Sequence, residues 1–206
     1  MTDDIASSPK PHPLRTRPGK AVVSLVGFMG AGKTTVGRAL AARLGWHFVD
    51  LDDLVQARDG RTIEQIFQQS GEPAFRELEH QILAEVTAGM EAVSVVDRSP
   101  EAGLMVLGMG GGAFSDHRNQ ELLRRAEVPA VFLDAPVEEL FRRSEQANVV
   151  RPLRREFQSF CDLYDQRRPM YMAAAYRIST AEKSIESVAT EIIQVLNLNP
   201  SRGVFQ

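Results

Sequence analysis

The chain carries a single cysteine, Cys161. No internal disulfide can staple it, which suits a reducing compartment, and Cys161 is expected to serve as a small packing residue. No stretch approaches the roughly 18 apolar residues of a membrane span, and the first residues lack the apolar core of a secretory signal. Basic charge is not in excess: 24 Lys and Arg against 27 Asp and Glu leave a net charge of −3, so nothing attracts nucleic acid or an anionic membrane in general. There is no internal repeat, no low-complexity core and no Asn-Lys-x-Asp motif of the kind that reads guanine in GTPases. These absences predict a cytoplasmic protein with neither nucleic acid nor membrane among its partners, and by default a monomer. What is present looks globular. Hydrophobic residues at 43% and charged residues at 25% exclude disordered and coiled-coil classes, and 206 residues allow one domain with room for a small insert.

Four prolines, Pro9, Pro11, Pro13 and Pro18, stand among polar and basic residues in 1–20, which read as a disordered leader. A single domain is expected over 21–200, followed by a tail at 201–206. Ala21 to Gly27 is a nearly continuous apolar run ending in glycine, the pattern of a parallel strand buried on both faces. Further strands are expected at Trp46–Val49, Leu104–Leu107, Val128–Leu133 and Tyr176–Ser179. Helical spacing falls at Thr34–Leu44, His117–Ala126 and Ser184–Leu196. This alternation predicts a three-layer α/β fold around a mainly parallel five-stranded sheet. A long helical segment at about 52–90 is too large for a simple crossover and is expected to cap one side of a site; 91–103 reads as a surface insertion.

Gly27-Phe28-Met29-Gly30-Ala31-Gly32-Lys33-Thr34 matches the phosphate-loop pattern G-x-x-x-x-G-K-[ST] between a buried strand and a helix. Glycines let backbone N–H groups converge on one anion, and the helix N-terminus adds its positive dipole end. The ATP contacts expected here are Gly30, Ala31, Gly32, Lys33, Thr34 and Thr35. Lys33 would reach the β- and γ-phosphates, and the Thr34 hydroxyl would ligate Mg²⁺. A second glycine run, Gly108-Met109-Gly110-Gly111-Gly112-Ala113, fits a dinucleotide fingerprint, with Asp134 in the place of the ribose-binding acid. Against that reading, the next helix starts at Ser115 or Asp116, so these glycines precede the helix instead of forming its first turn.

Asp50-Leu51-Asp52 ends the second strand, where ligands of parallel sheets collect. On an extended segment Asp50 and Asp52 point the same way, so one can face Mg²⁺ through water and the other the acceptor. Asp52 could instead cap the following helix, although Asp53 is the expected cap. Arg76 and Glu79 are i, i+3 neighbours, readable as a surface ion pair or as part of a site. Seven arginines between Arg142 and Arg168 suit recognition of an anionic acceptor by bidentate hydrogen bonds, and polar 144–156 reads as a lid.

In this order the motifs, Gly-Phe-Met-Gly-Ala-Gly-Lys-Thr at 27–34, Asp-Leu-Asp at 50–52, Phe-Arg at 75–76, Gly-Gly-Gly at 110–112, Arg-Pro at 151–152 and Arg-Arg-Pro-Met-Tyr at 167–171, resemble those of the shikimate kinase family. The resemblance implies a P-loop NTPase fold of the nucleoside-monophosphate-kinase type, with ATP and Mg²⁺ as partners and the 3-hydroxyl of shikimate as phosphoryl acceptor. It also implies substrate contacts from Asp52, Arg76, Gly110, Gly111, Gly112 and Arg167, with Arg76 and Arg167 on the carboxylate. Glu79 would orient Arg76, Arg151 would reach the transferred phosphate, and Arg143 would lie over adenine. Lys33, Asp52 and Arg151 thus carry catalysis, with Thr34 and, through water, Asp50 on the metal. The chain departs from the family pattern in Thr34 where serine is usual, in the insertion at 91–103, in a lid one residue longer and in Arg154 after Arg-Pro-Leu. A related kinase acting on gluconate, or a catalytically silent member of the same family, would share much of this pattern.

Overall fold

The computed structural model describes residues 21–88, 104–146 and 157–198. The expected leader at 1–20, the insertion at 91–103, Arg151 with most of the expected lid, and the tail at 201–206 lie outside the described residues. Strand β1 spans Ala21–Val26, β2 His47–Asp50, β3 Leu104–Gly108, β4 Ala130–Asp134 and β5 Tyr176–Ser179. The helices are α1 (Lys33–Leu44), α2 (Leu51–Asp59), α3 (Ile63–Ala88), α4 (His117–Arg125), α5 (Val137–Gln146), α6 (Phe157–Tyr171) and α7 (Ile185–Val195). The expected strands and helices are all found, with ends moved by one or two residues.

The strands form one sheet in the order β2-β3-β1-β4-β5, parallel throughout. Apolar residues dominate the central strands because helices cover both faces: all five residues of β4 are buried. In α1, Val36, Leu40, Ala41 and Leu44 are buried, the i, i+4, i+8 stripe of a helix lying on a sheet. α3 is broken at Gly71, whose φ of 79° and ψ of 167° leave the helical region. Pro73 then sits within the first turn of the second half, where its missing N–H costs nothing.

Register decides where the site lies. Leu25 of β1 pairs with Gly108 of β3, and Gly108 pairs with Asp50 of β2. The carboxyl ends of β1, β2 and β3 are therefore level, and the segments that follow them open on one edge of the sheet. β4 ends on that edge as well, Val26 of β1 pairing with Phe132. The order of connections reverses around β1, so this edge is the switch point at which open α/β sheets bind ligands.

Candidate active site

The phosphate loop follows β1 and runs into α1. Gly30 has φ of 80° and packs on the backbone of Leu140, where any Cβ would collide with it; only glycine satisfies both conditions. Gly32 stands at the N-cap of α1, Ala31 is buried, and the Ala31 N–H donates to the Phe28 carbonyl at 3.2 Å. Phe28, fully buried, packs edge-on against Phe160 at 4.9 Å and Tyr164 at 5.5 Å of α6, which fastens the loop to the rest of the fold by about 2–3 kcal/mol of apolar burial. The Lys33 ammonium donates to the carbonyls of Gly27 (2.9 Å) and Phe28 (3.1 Å), so its charge lies over the loop. Thr35 is exposed on the first turn of α1.

The Thr34 hydroxyl donates to Asp50 Oδ2 at 3.3 Å. Asp50 is the N-cap of α2, its Oδ1 accepting from the Asp52 N–H at 3.1 Å. This corrects the expectation that Asp53 caps the helix. Asp52 is not on an extended segment either, since α2 begins at Leu51; the two acids share one side of the site because Asp50 ends the strand and Asp52 lies in the helix's first turn. Burial and the neighbouring Asp52 carboxylate push the Asp50 carboxyl above its ordinary range, Lys33 opposing them. Two hard oxygen donors, the Thr34 hydroxyl and the Asp50 carboxylate, in a place where negative charge is in excess, fit a Mg²⁺ ion carried in with phosphates and water. Among the described residues no group of three or more His, Cys, Asp or Glu could hold a metal without such help.

The Gly110–Gly112 run after β3 meets both acids and arginines at close quarters. A Cβ at Gly110 would lie 2.7 Å from Asp52 Oδ1 and 3.5 Å from Glu79 Oε1. A Cβ at Gly111 would lie 3.4 Å from Arg167 Nη1, and one at Gly112 would overlap the Arg76 guanidinium, 2.6 Å from its Cζ. The run is bare so that Asp52, Arg76, Glu79 and Arg167 can close on one spot. It feeds a short 3₁₀ turn at Ala113–Ser115, and α4 starts only at His117 behind the Asp116 cap. The dinucleotide reading fails on that count, and also because the Asp134 carboxylate is taken up by Arg168, Arg177 and Tyr164.

Arg76 is held from two sides. Glu79 Oε2 accepts from its Nη1 at 2.9 Å, and Glu72 Oε1 accepts from Nε and Nη2 at 3.2 and 3.1 Å. Glu79 is only 1% exposed, and its second oxygen, Oε1, has no hydrogen-bond partner among the described residues. Burial pushes its carboxyl up to about 7; Arg76 opposes this, while Asp52 and Asp116 add to it. Across the site the Tyr171 hydroxyl donates to the Gly111 carbonyl. Burial raises that hydroxyl to about 12, the adjacent Arg167 opposing it. Arg143, on α5, donates to the hydroxyl and carbonyl of Thr180 at 2.9 Å each, and to Glu139 at 2.6 Å.

The structure thus brings together Lys33, Thr34, Asp50, Asp52, Arg76, Glu79, the three glycines and Arg167; Arg143 stands at its flank and Arg151 lies outside the described residues. Sequence reasoning missed Glu72, Phe28 and Tyr171. The i, i+4 spacing of Glu72 and Arg76 was a usable signal for the first; the other two act through long-range packing that no local pattern reveals.

A parallel sheet in the order 2-3-1-4-5 with a phosphate loop at its switch point and an acid–arginine cluster facing that loop defines a P-loop kinase of the α/β class. Comparison with known proteins narrows the class. The family model described as shikimate kinase matches residues 29–197. A shikimate kinase of Symbiobacterium thermophilum is 38% identical over 190 residues, covering 88% of this chain and 99% of the relative. One of Geobacter metallireducens is 41% identical over 173 residues, covering 82% and 88%. Among solved structures, the shikimate kinase of Acinetobacter baumannii in complex with shikimate superposes with a TM-score of 0.73 at 35% identity, covering 86% of this chain and 93% of that one. The chain belongs to the shikimate kinase family.

Proposed function

We propose that the chain transfers the γ-phosphoryl group of ATP to the 3-hydroxyl of shikimate, a step toward chorismate and the aromatic amino acids, and does so in the cytoplasm. The observation that carries this reading is the meeting, on one sheet edge, of a complete phosphate loop with Asp52, Arg76, Arg167 and a bare glycine run. Two guanidiniums suit the carboxylate of a small acid, Asp52 suits its hydroxyls, and the missing side chains at 110–112 leave room for a ring. A gluconate-type acceptor would also carry a carboxylate, but the chain's place in the family favours shikimate.

Phosphoryl transfer proceeds through a loose transition state, so the protein mainly has to align the nucleophile and neutralise charge. Lys33, now donating to the carbonyls of Gly27 and Phe28, would turn to the β- and γ-phosphates and offset their charge. Thr34 and, through water, Asp50 would hold Mg²⁺, which when bound would supply positive charge to offset that of the phosphates. Asp52 orients the acceptor hydroxyl and takes its proton late, once bonding to phosphorus has made that proton acidic. Arg76 and Arg167 grip the carboxylate. Glu79 and Glu72 keep the Arg76 fork pointed at it. Arg143 is assigned to the adenine and Arg151, from its motif, to the transferred phosphate.

Release of ADP, followed by a coupled assay with shikimate, with gluconate and with no acceptor, tests the reading. Shikimate alone should support turnover, and the product should carry phosphate at the 3-position. Equal rates with gluconate, or fast hydrolysis without acceptor, would refute it.

A further inference from the structure

Asp134 ends β4 with its side chain only 7% exposed, and it serves two directions at once. Its carboxylate accepts from Arg168 Nη2 at 3.1 Å and Arg177 Nε at 2.9 Å on Oδ2, and from the Tyr164 hydroxyl at 3.3 Å on Oδ1. Arg168 Nε in turn donates to the Tyr164 oxygen at 2.9 Å. Its backbone carbonyl accepts from the Thr180 N–H at 2.7 Å, and Thr180 is the residue that receives Arg143. We infer that Asp134 is a positioning residue for both halves of the site, fixing Arg167 through its carboxylate and Arg143 through its carbonyl.

The acid-side half follows from helix geometry. Tyr164, Arg168 and Tyr171 lie at i, i+4 and i+7 on α6, one stripe of the helix. Asp134 ties down the first two and the Gly111 carbonyl the third, so the roll of α6 about its axis is set at three points. Arg167 is carried between them with no anchor of its own to β4. With side chains reaching about 6 Å from a helix axis, a roll of ~10° would move its guanidinium by ~1 Å, and a displacement of that size at a positioning group can cost up to ~100-fold in rate or binding. The nucleotide half runs through the turn after β5. Thr180, buried at 3% exposure, presents its hydroxyl and carbonyl to Arg143 only while the Asp134 carbonyl holds its N–H.

The inference rests on the proposed assignment of Arg167 to the acid and Arg143 to the nucleotide, and four variants separate the two. KM for shikimate and for ATP, and kcat, are measured with the full chain. Asp134→Asn keeps the shape but removes the charge that holds Arg168; its shikimate KM should rise about tenfold, while its ATP KM, served by a backbone carbonyl that asparagine keeps, stays within twofold and kcat within threefold of the unmodified chain. Arg168→Ala should raise only the shikimate KM, and Thr180→Val, which removes the hydroxyl at constant volume, only the ATP KM. Loss of general stability would not split the two constants in this way. A shikimate KM within twofold in Asp134→Asn overturns the inference. If that variant does not fold, Arg168→Ala and Thr180→Val decide: each moving both constants, or neither, overturns it. Arg167→Ala reports on the underlying reading: an unmoved shikimate KM there overturns the acid-clamp assignment itself, whereas a raised one beside an unmoved Arg168→Ala overturns only the role of Asp134.

Discussion

Replacing Glu79 with glutamine isolates the cost of keeping a carboxylate in the wall of this site. Its carboxyl stands at about 7 against an ordinary 4.5. The folded chain therefore holds this proton over a range where the unfolded chain has released it, and stability falls as pH rises from about 4.5 to about 7, then levels. Each tenfold change in proton affinity is about 1.4 kcal/mol, so ionised Glu79 costs the fold about 3 kcal/mol. Glutamine stays neutral, keeps an oxygen for Arg76 Nη1 and carries no such slope. The stability of Glu79→Gln minus that of the unmodified chain should rise by about 3 kcal/mol between pH 4.5 and 7.5, which for a chain of this size widens the gap in Tm by about 6–12 °C. Arg76 stays charged throughout, and every other ionisable group is common to the two proteins, so their contributions cancel to first order in the difference. Thermal unfolding of both proteins at four pH values across that range is the assay. A gap that stays flat or narrows with rising pH refutes the idea that burial dominates over Arg76 at this carboxyl.

Three further substitutions probe the rest of the site. Lys33→Ala should fold normally and lose about 100- to 1,000-fold in kcat, measured by ADP release with shikimate; undiminished turnover would remove the phosphate loop from the chemistry. Asp52→Asn should lower kcat by about 100- to 10,000-fold while ATP binding, read by nucleotide titration, stays within a few fold. Gly112→Ala puts a methyl group into the Arg76 guanidinium, which can swing aside without unfolding the chain; losing one charge-assisted contact of about 2–3 kcal/mol should raise the shikimate KM about 30- to 150-fold and leave the ATP KM alone.

Much of this was legible in the residues. The phosphate loop announced itself because a buried strand, three glycines, a lysine and a helix occur in one order, and the strand-end acids because parallel sheets gather ligands at their carboxyl edge. The cap of α2 was misread for a specific reason: with acids at 50, 52 and 53 any could cap, and the choice depends on whether β2 ends at Val49 or, as it does, at Asp50. Arg76 and Glu79 could be paired from spacing, but not the burial that sets Glu79 apart from the exposed Glu72, because Glu79 is covered by the glycine run arriving from another part of the chain. Asp134 looked like a ribose acid because it ends a strand after a glycine motif. Only the long-range partners Tyr164, Arg168 and Arg177 reveal that its carboxylate is already occupied.

The level register of β1 and β3 has a further consequence. β3 begins at Leu104 opposite Ala21, on the amino edge of the sheet, some four residues of strand away from Gly108 and the groups that react. The strand thus enters the molecule by its back door, at Leu104. A conservative change there, such as Leu104→Val, should therefore leave the chemistry at the front untouched.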